Sequence, residues 1–159
     1  MMKGSVIIIL FAFILVSSCK TEPIKCSSLR VGVFKMYDGK VLENIIERDE
    51  ETQLEFIPNT DSIESISKIS WMDCSYKLKA YKYREIIDNP LIVKVVEVEN
   101  DVFYVESKLE NQFWLSRLFK KCKSSYKFLK ISGKPSKRFY EAKALIERGV
   151  LPPNAKSWN

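Results

Sequence analysis

From Leu29 to Lys108 the chain returns again and again to short runs of aliphatic and aromatic residues, each of strand length and each ended by residues that turn a backbone cheaply. The runs cover residues 29–36, 42–48, 52–57, 65–71, 74–81, 91–99 and 102–108. Between them stand Asp38-Gly39, Asp49-Glu50-Glu51, Pro58-Asn59, Asp73 and the hairpin pair Asn100-Asp101. Residues 74–81 alternate strictly, with Tyr76, Leu78 and Ala80 on one face and Lys77, Lys79 and Tyr81 on the other. Connections this short join antiparallel neighbours. The spacing therefore predicts a mainly β domain, an antiparallel meander of about seven or eight strands that curls into a barrel or closed sandwich.

The last third reads differently. Residues 112–122 place Trp114, Leu115, Leu118, Phe119 and Cys122 at helical spacing, and residues 126–131 suit one more strand. A second helix is expected after Ser136, its N-cap, with Phe139, Ala142, Leu145 and Ile146 as the apolar stripe and Gly149 as the stop before Pro152-Pro153. Charge divides the chain at the same place. Residues 20–110 carry a net charge of −5 and residues 111–159 one of +10, a split that the overall +6 conceals.

The start of the chain is an address. Lys3 precedes Val6–Val16, 11 residues without a polar side chain, where a spanning helix needs about 20. Leu15-Val16-Ser17-Ser18-Cys19 follows and resembles the lipobox of bacterial lipoproteins. Cleavage before Cys19 leaves a thiol able to take a diacylglyceryl group as a thioether, and two or more acyl chains anchor stably. The alternative is an ordinary secretory signal cut near Ser18. The expected organisation is a signal peptide over residues 1–18, a lipidated tether over 19–28, a β-domain over 29–110 and a basic, partly helical extension over 111–159.

Export places the remaining cysteines, Cys26, Cys74 and Cys122, where paired thiols oxidise. Cys26 lies before the first strand and Cys74 beside the most aromatic one, which favours a Cys26–Cys74 bridge over three reduced thiols. Cys122 is then a small core residue or a site of intermolecular pairing.

Composition removes several classes of chemistry. With no histidine there is no Ser-His-Asp triad, no Cys-His pair and no His-containing zinc site. The 5 glycines are too scattered to write a dinucleotide or phosphate loop. No cofactor and no metal site is expected.

Cys26, Gly32-Val33-Phe34, the R-x-x-x-x-Q-x-E spacing of Arg48, Gln53 and Glu55, and Ile69-Ser70-Trp71-Met72-Asp73-Cys74-Ser75-Tyr76 form an ordered pattern, closed by a hairpin around Phe103-Tyr104-Val105. Ile46-Glu47-Arg48 and Gln53-Leu54-Glu55 belong to it. In this pattern the chain resembles a family of small, uncharacterised lipoproteins of flavobacterial (Bacteroidetes) type. The resemblance implies an extracytoplasmic, lipocalin-like β-domain and a Cys26–Cys74 pairing, and it carries no activity. It ends near Glu110 and leaves the basic extension outside.

Two constellations stand out as candidate sites. Arg48, Gln53 and Glu55 could converge on a ligand inside a curved sheet, or Arg48 could pair with Glu55 or Glu47 across a hairpin while Gln53 serves nearby backbone. Trp71 and Tyr76 could line an aromatic pocket, or be plain core beside a disulfide. The aromatic and basic residues of 111–159 match the composition of single-strand nucleic-acid binders, but outside the cytoplasm the available polyanions are anionic lipid, lipopolysaccharide and cell-wall polymer. Nucleic acid is therefore not expected as a partner. The competing account packs these helices on the acidic β-body. The expected occupation is that of a lipid-anchored envelope protein without catalytic activity, a binding or structural module that meets a small ligand, a polymer or another envelope protein. Alternatives are a carboxylate- or Arg/Lys-based enzyme at the barrel mouth, and a protein that docks on anionic surfaces through residues 111–159. The membrane is expected to be the outer one.

Overall fold

A period of two along each segment decides which side chains face inward once the strands pair, and short turns decide which strands pair. A computed structural model describes residues 26–82, 85–86, 90–110 and 124–156. The strands are β1 Gly32–Asp38, β2 Val41–Arg48, β3 Thr52–Phe56, β4 Ile63–Met72, β5 Ser75–Lys82, β6 Glu85–Ile86, β7 Leu91–Glu99, β8 Val102–Leu109 and β9 Ser124–Ser132. All pair antiparallel, β1 to β5 in sequence, then β5 with β7, β7 with β8 and β8 with β9, and β9 returns to β1. The result is a closed eight-stranded barrel of lipocalin-like form, with β6 a two-residue spur on β5.

The turns use the residues singled out for them. Gly39, Asp73 and Asn100 adopt φ of 58°, 50° and 53° in the β1–β2, β4–β5 and β7–β8 connections. In the β2–β3 turn the Asp49 carboxylate accepts the backbone N–H groups of Glu51 at 3.0 Å and Thr52 at 2.8 Å. Closure depends on Gly32, whose φ is 139° and where an added Cβ would lie 2.2 Å from the Ser132 carbonyl oxygen. Register slips at Met36/Tyr37, Glu55/Phe56 and Val95/Glu97 bend the strands around the ring.

Two cores result. One fills the barrel, with Phe34, Ile46, Ile69, Tyr76 and Phe103 at its centre. The other lies outside it, where Leu54, Phe56, Ile63 and Ile66 meet Phe139 and Ala142 of helix α1, Lys137–Glu147. β3 is thus buried on both faces, Gln53 inward and Leu54 outward. Beyond α1, Asn154 and Lys156 hydrogen-bond to the backbone of Ile63 at 2.9 Å, so the C-terminal segment runs along the start of β4.

Three sequence expectations change. Residues 29–31 do not extend β1. Ser27–Leu29 form a 3₁₀ turn that lays Leu29, fully buried, across one end of the barrel, because an apolar plug there stabilises by about 2 kcal/mol. The barrel also does not finish at Glu110. β9, from the basic extension, sits between β1 and β8, so the charge boundary runs through the barrel. Ser136 occupies the N-cap position with extended backbone, but its side chain makes no cap. Its backbone N–H donates instead to Glu47 Oε2 at 2.8 Å, a carboxylate brought from β2 to the positive end of the helix. Packing of α1 on the β-body is therefore what the structure shows for that helix. The helix expected over 112–122, like the signal peptide, Cys19 and Cys122, lies outside the described residues.

Candidate ligand-binding site

The site begins with the register of one hairpin. Arg48 ends β2 and pairs with Gln53 of β3 across a three-residue turn, so both side chains project into the barrel side by side. Arg48 Nη1 donates to Gln53 Oε1 at 3.1 Å, and Gln53 Nε2 donates to Glu55 Oε1 at 2.8 Å, two residues further along the same face. Asn44, four residues before Arg48 on β2, donates Nδ2 to Glu55 Oε2 at 3.2 Å. The three residues of the first constellation therefore come together as one chain of hydrogen bonds, and the hairpin ion pair weighed as its alternative does not form. Burial pushes the Glu55 carboxyl above its usual pKa, opposed by its hydrogen bonds to Gln53, Ser65 and Asn44.

Arg48 is fully buried. Its guanidinium carbon lies 4.6 Å from the ring centre of Phe34, 4.9 Å from Tyr76, 5.5 Å from Trp71 and 5.8 Å from Phe128. Such desolvated cation–π contacts contribute about 2 kcal/mol, against a desolvation penalty of several kcal/mol. Nε and Nη2 make no hydrogen bond, and neither does the buried Tyr76 hydroxyl. Burial raises the pKa of that hydroxyl, opposed by the Arg48 guanidinium beside it. Lys130 of β9 joins Arg48 at this end. Its ammonium bonds the carbonyls of Ser28 and Val31, and burial together with the Arg48 charge lowers its pKa.

This end of the barrel is sealed. Leu29 lies across it, and Cys26, just before the turn, is disulfide-bonded to Cys74 in the β4–β5 turn. Trp71 belongs to the seal. Its indole N–H donates to the Glu50 carbonyl at 3.0 Å, and its ring stacks at a tilt 4.7 Å from Tyr76. Of the aromatic pair, Tyr76 alone lines the cavity above; Trp71 closes the floor beneath it.

The cavity, of about 260 Å³, lies between this floor and the opposite end, where the β1–β2 and β3–β4 connections lie. Leu78, Leu91, Val93, Val105 and Phe128 form much of its wall, while Gln53, Glu55, Tyr76, Ser107 and Tyr126 supply polar atoms. At ~30 Å³ per water it has the liquid volume of about nine waters, slightly below the usual ~300–1,000 Å³ of small-molecule pockets. A shallower cleft of about 400 Å³ on the outer wall, beside Val33, Ile45 and Arg138, offers less chemistry. There Arg138 already donates to Glu47 at 2.8 Å, Thr60 at 3.0 Å and Asp61 at 2.9 Å. Among the described residues no group of three metal-ligating side chains converges.

Asn44 and Lys130 were not singled out from the sequence, and Phe34 and Phe128 were not singled out as site residues. Alternation would have found Asn44, which shares a face with Arg48 on β2. Lys130 shares one with Phe128 on β9, but that strand had to be placed in the barrel first. Compared with known protein families, curated proteins and solved structures, the chain matches none of them.

Proposed function

We propose that this protein is an envelope lipoprotein whose barrel binds one small, mainly apolar molecule with a polar end. The observation that supports the binding reading is the cavity itself, apolar along its walls and polar near a sealed, charged floor. The disulfide points to an oxidising compartment. Anchoring through Cys19 rests on the lipobox; replacing Cys19 with Ala is expected to abolish incorporation of labelled fatty acid, and unchanged labelling would reject the anchor. For binding, the full chain in lipid nanodiscs is dialysed against small apolar fluorophores, beside a Val105→Trp variant that fills the cavity. Retention by the native chain above that variant is expected; equal retention rejects the barrel as the site.

A further inference from the structure

On the floor of the barrel, donors of one guanidinium are left without acceptors. Arg48 Nη1 is engaged by Gln53, while Nε and Nη2, the two nitrogens along one edge of the guanidinium, are buried without partners. The Tyr76 hydroxyl, equally buried and unpartnered, belongs to a ring 4.9 Å from the same guanidinium. A guanidinium is a permanent cation, and a buried charge without a counter-charge is costly. Here the nearest acidic group along the hydrogen-bonded chain, Glu55, is reached through an intervening amide, and its oxygens already accept from Gln53 and Asn44. Lys130 adds a second positive charge. The edge formed by Nε and Nη2 is the one that takes two oxygens of a planar anion in a bidentate pair.

Resting on the barrel-binding reading, we propose that the ligand is a small amphipathic monocarboxylic acid, its carboxylate paired with the Nε/Nη2 edge of Arg48 and hydrogen-bonded by Tyr76, its apolar body in the cavity. Leu78, Leu91, Val93 and Val105 take a hydrocarbon body. Tyr76, which lines the cavity and covers the guanidinium, is the side chain that turns aside to admit the head group. A cationic head at that edge would be repelled by Arg48 and Lys130, and the carboxyl in the cavity lining, Glu55, already accepts from Gln53 and Asn44; a neutral alcohol would leave the guanidinium without a counter-charge. The cavity volume limits the body to roughly nine non-hydrogen atoms, taking for each the ~30 Å³ share of a water in the liquid.

The test is equilibrium dialysis of labelled octanoate, octanol, octylamine and octyl sulfate against the full chain in nanodiscs, with Val105→Trp as the filled-cavity background. Octanoate is expected to bind at least tenfold more tightly than octanol or octylamine. Arg48→Met is expected to remove that preference, bringing octanoate to within about twofold of octanol. Tyr76→Phe, which keeps the ring, is expected to weaken octanoate severalfold and octanol not at all, and serves if the Arg48 variant does not fold. Should octanol or octylamine bind above background as tightly as octanoate, the acid assignment falls while barrel binding stands. Octyl sulfate matching octanoate would overturn the planar head group. Binding of all four probes at the Val105→Trp level would overturn both readings.

Discussion

Glu47 and Arg48 are consecutive residues of β2, both buried and both ionisable, yet they face opposite sides of the barrel wall and end in opposite circumstances. Outside, Glu47 receives Arg138 Nε and the Ser136 backbone N–H at 2.8 Å each, and the neighbouring Asp49 is paired with Lys143. Arg138 in turn lies 3.9 Å from the Phe56 ring centre. Inside, Arg48 has one amide, four aromatic rings and two nitrogens without acceptors. Equal burial thus hides unequal satisfaction. The outer group holds a helix to a sheet, and the inner one keeps bonding capacity in reserve.

Removing one partner from each side is the strongest way to break this contrast. Glu47→Ala leaves the Ser136 N–H at the start of α1 without its acceptor and takes one partner from Arg138, which keeps Thr60 and Asp61, and is expected to cost about 3 kcal/mol, the low end of the loss on breaking a buried pair, measured by chemical denaturation. Arg48→Met removes a charge with no direct ionic partner and is expected to leave stability within about 1 kcal/mol of the parent, or to raise it. A loss at Arg48 as large as at Glu47 would mean that the inner network is a structural clamp too. A smaller difference is expected between two leucines. Leu54 is fully enclosed between sheet and helix, so Leu54→Ala should cost about 3 kcal/mol; Leu78 already borders a cavity, and Leu78→Ala should cost less than about 2 kcal/mol.

The two faces also oppose each other in acid. For Asp49, burial raises the pKa, but the Lys143 bond and the N–H groups of Glu51 and Thr52 outweigh it, so the net shift is downward from 3.8. Its stabilisation is therefore present above that value and is lost as pH falls through the folded-state pKa. Glu55 is raised from 4.5 by burial, so its contribution is present below 4.5 and is lost as pH rises through the folded-state pKa. Relative to the parent, Asp49→Asn should be less stable at neutral pH, with the gap closing in acid. Glu55→Gln should be the more stable at neutral pH, with that gap closing in acid as well. Melting curves between pH 3 and pH 7 separate the two; parallel curves for either variant would show that its carboxyl does not sense its face.

Much of this fold was legible in the residues. The turns at Gly39, Asp73 and Asn100 required left-handed backbone, and alternation along residues 74–81 assigned Tyr76 and Leu78 to one face before any partner strand was known. What the sequence could not show was which strands close the ring. β9 pairs with β1 over about a hundred residues of separation, and Gly32 signals a close approach without naming Ser132. The chain Arg48–Gln53–Glu55 could be read because all three flank one hairpin. The aromatic cage could not, since Phe34, Trp71, Tyr76 and Phe128 come from four strands that closure alone brings around one cation. Trp71 and Tyr76 lie 4.7 Å apart between ring centres, and only three-dimensional depth separates the one in the floor from the one in the wall.

The bond between Cys26 and Cys74 sets a direction for the whole molecule. The polypeptide joins the barrel at its sealed pole, so were the protein held by a tether upstream of Cys26, that pole would be the end nearest the attachment. Tension on that tether passes through sulfur into the β4–β5 turn and spreads over two strands instead of peeling β1 from its neighbours. A solute arriving from the far side would then meet the apolar wall of the cavity first, and the cations last.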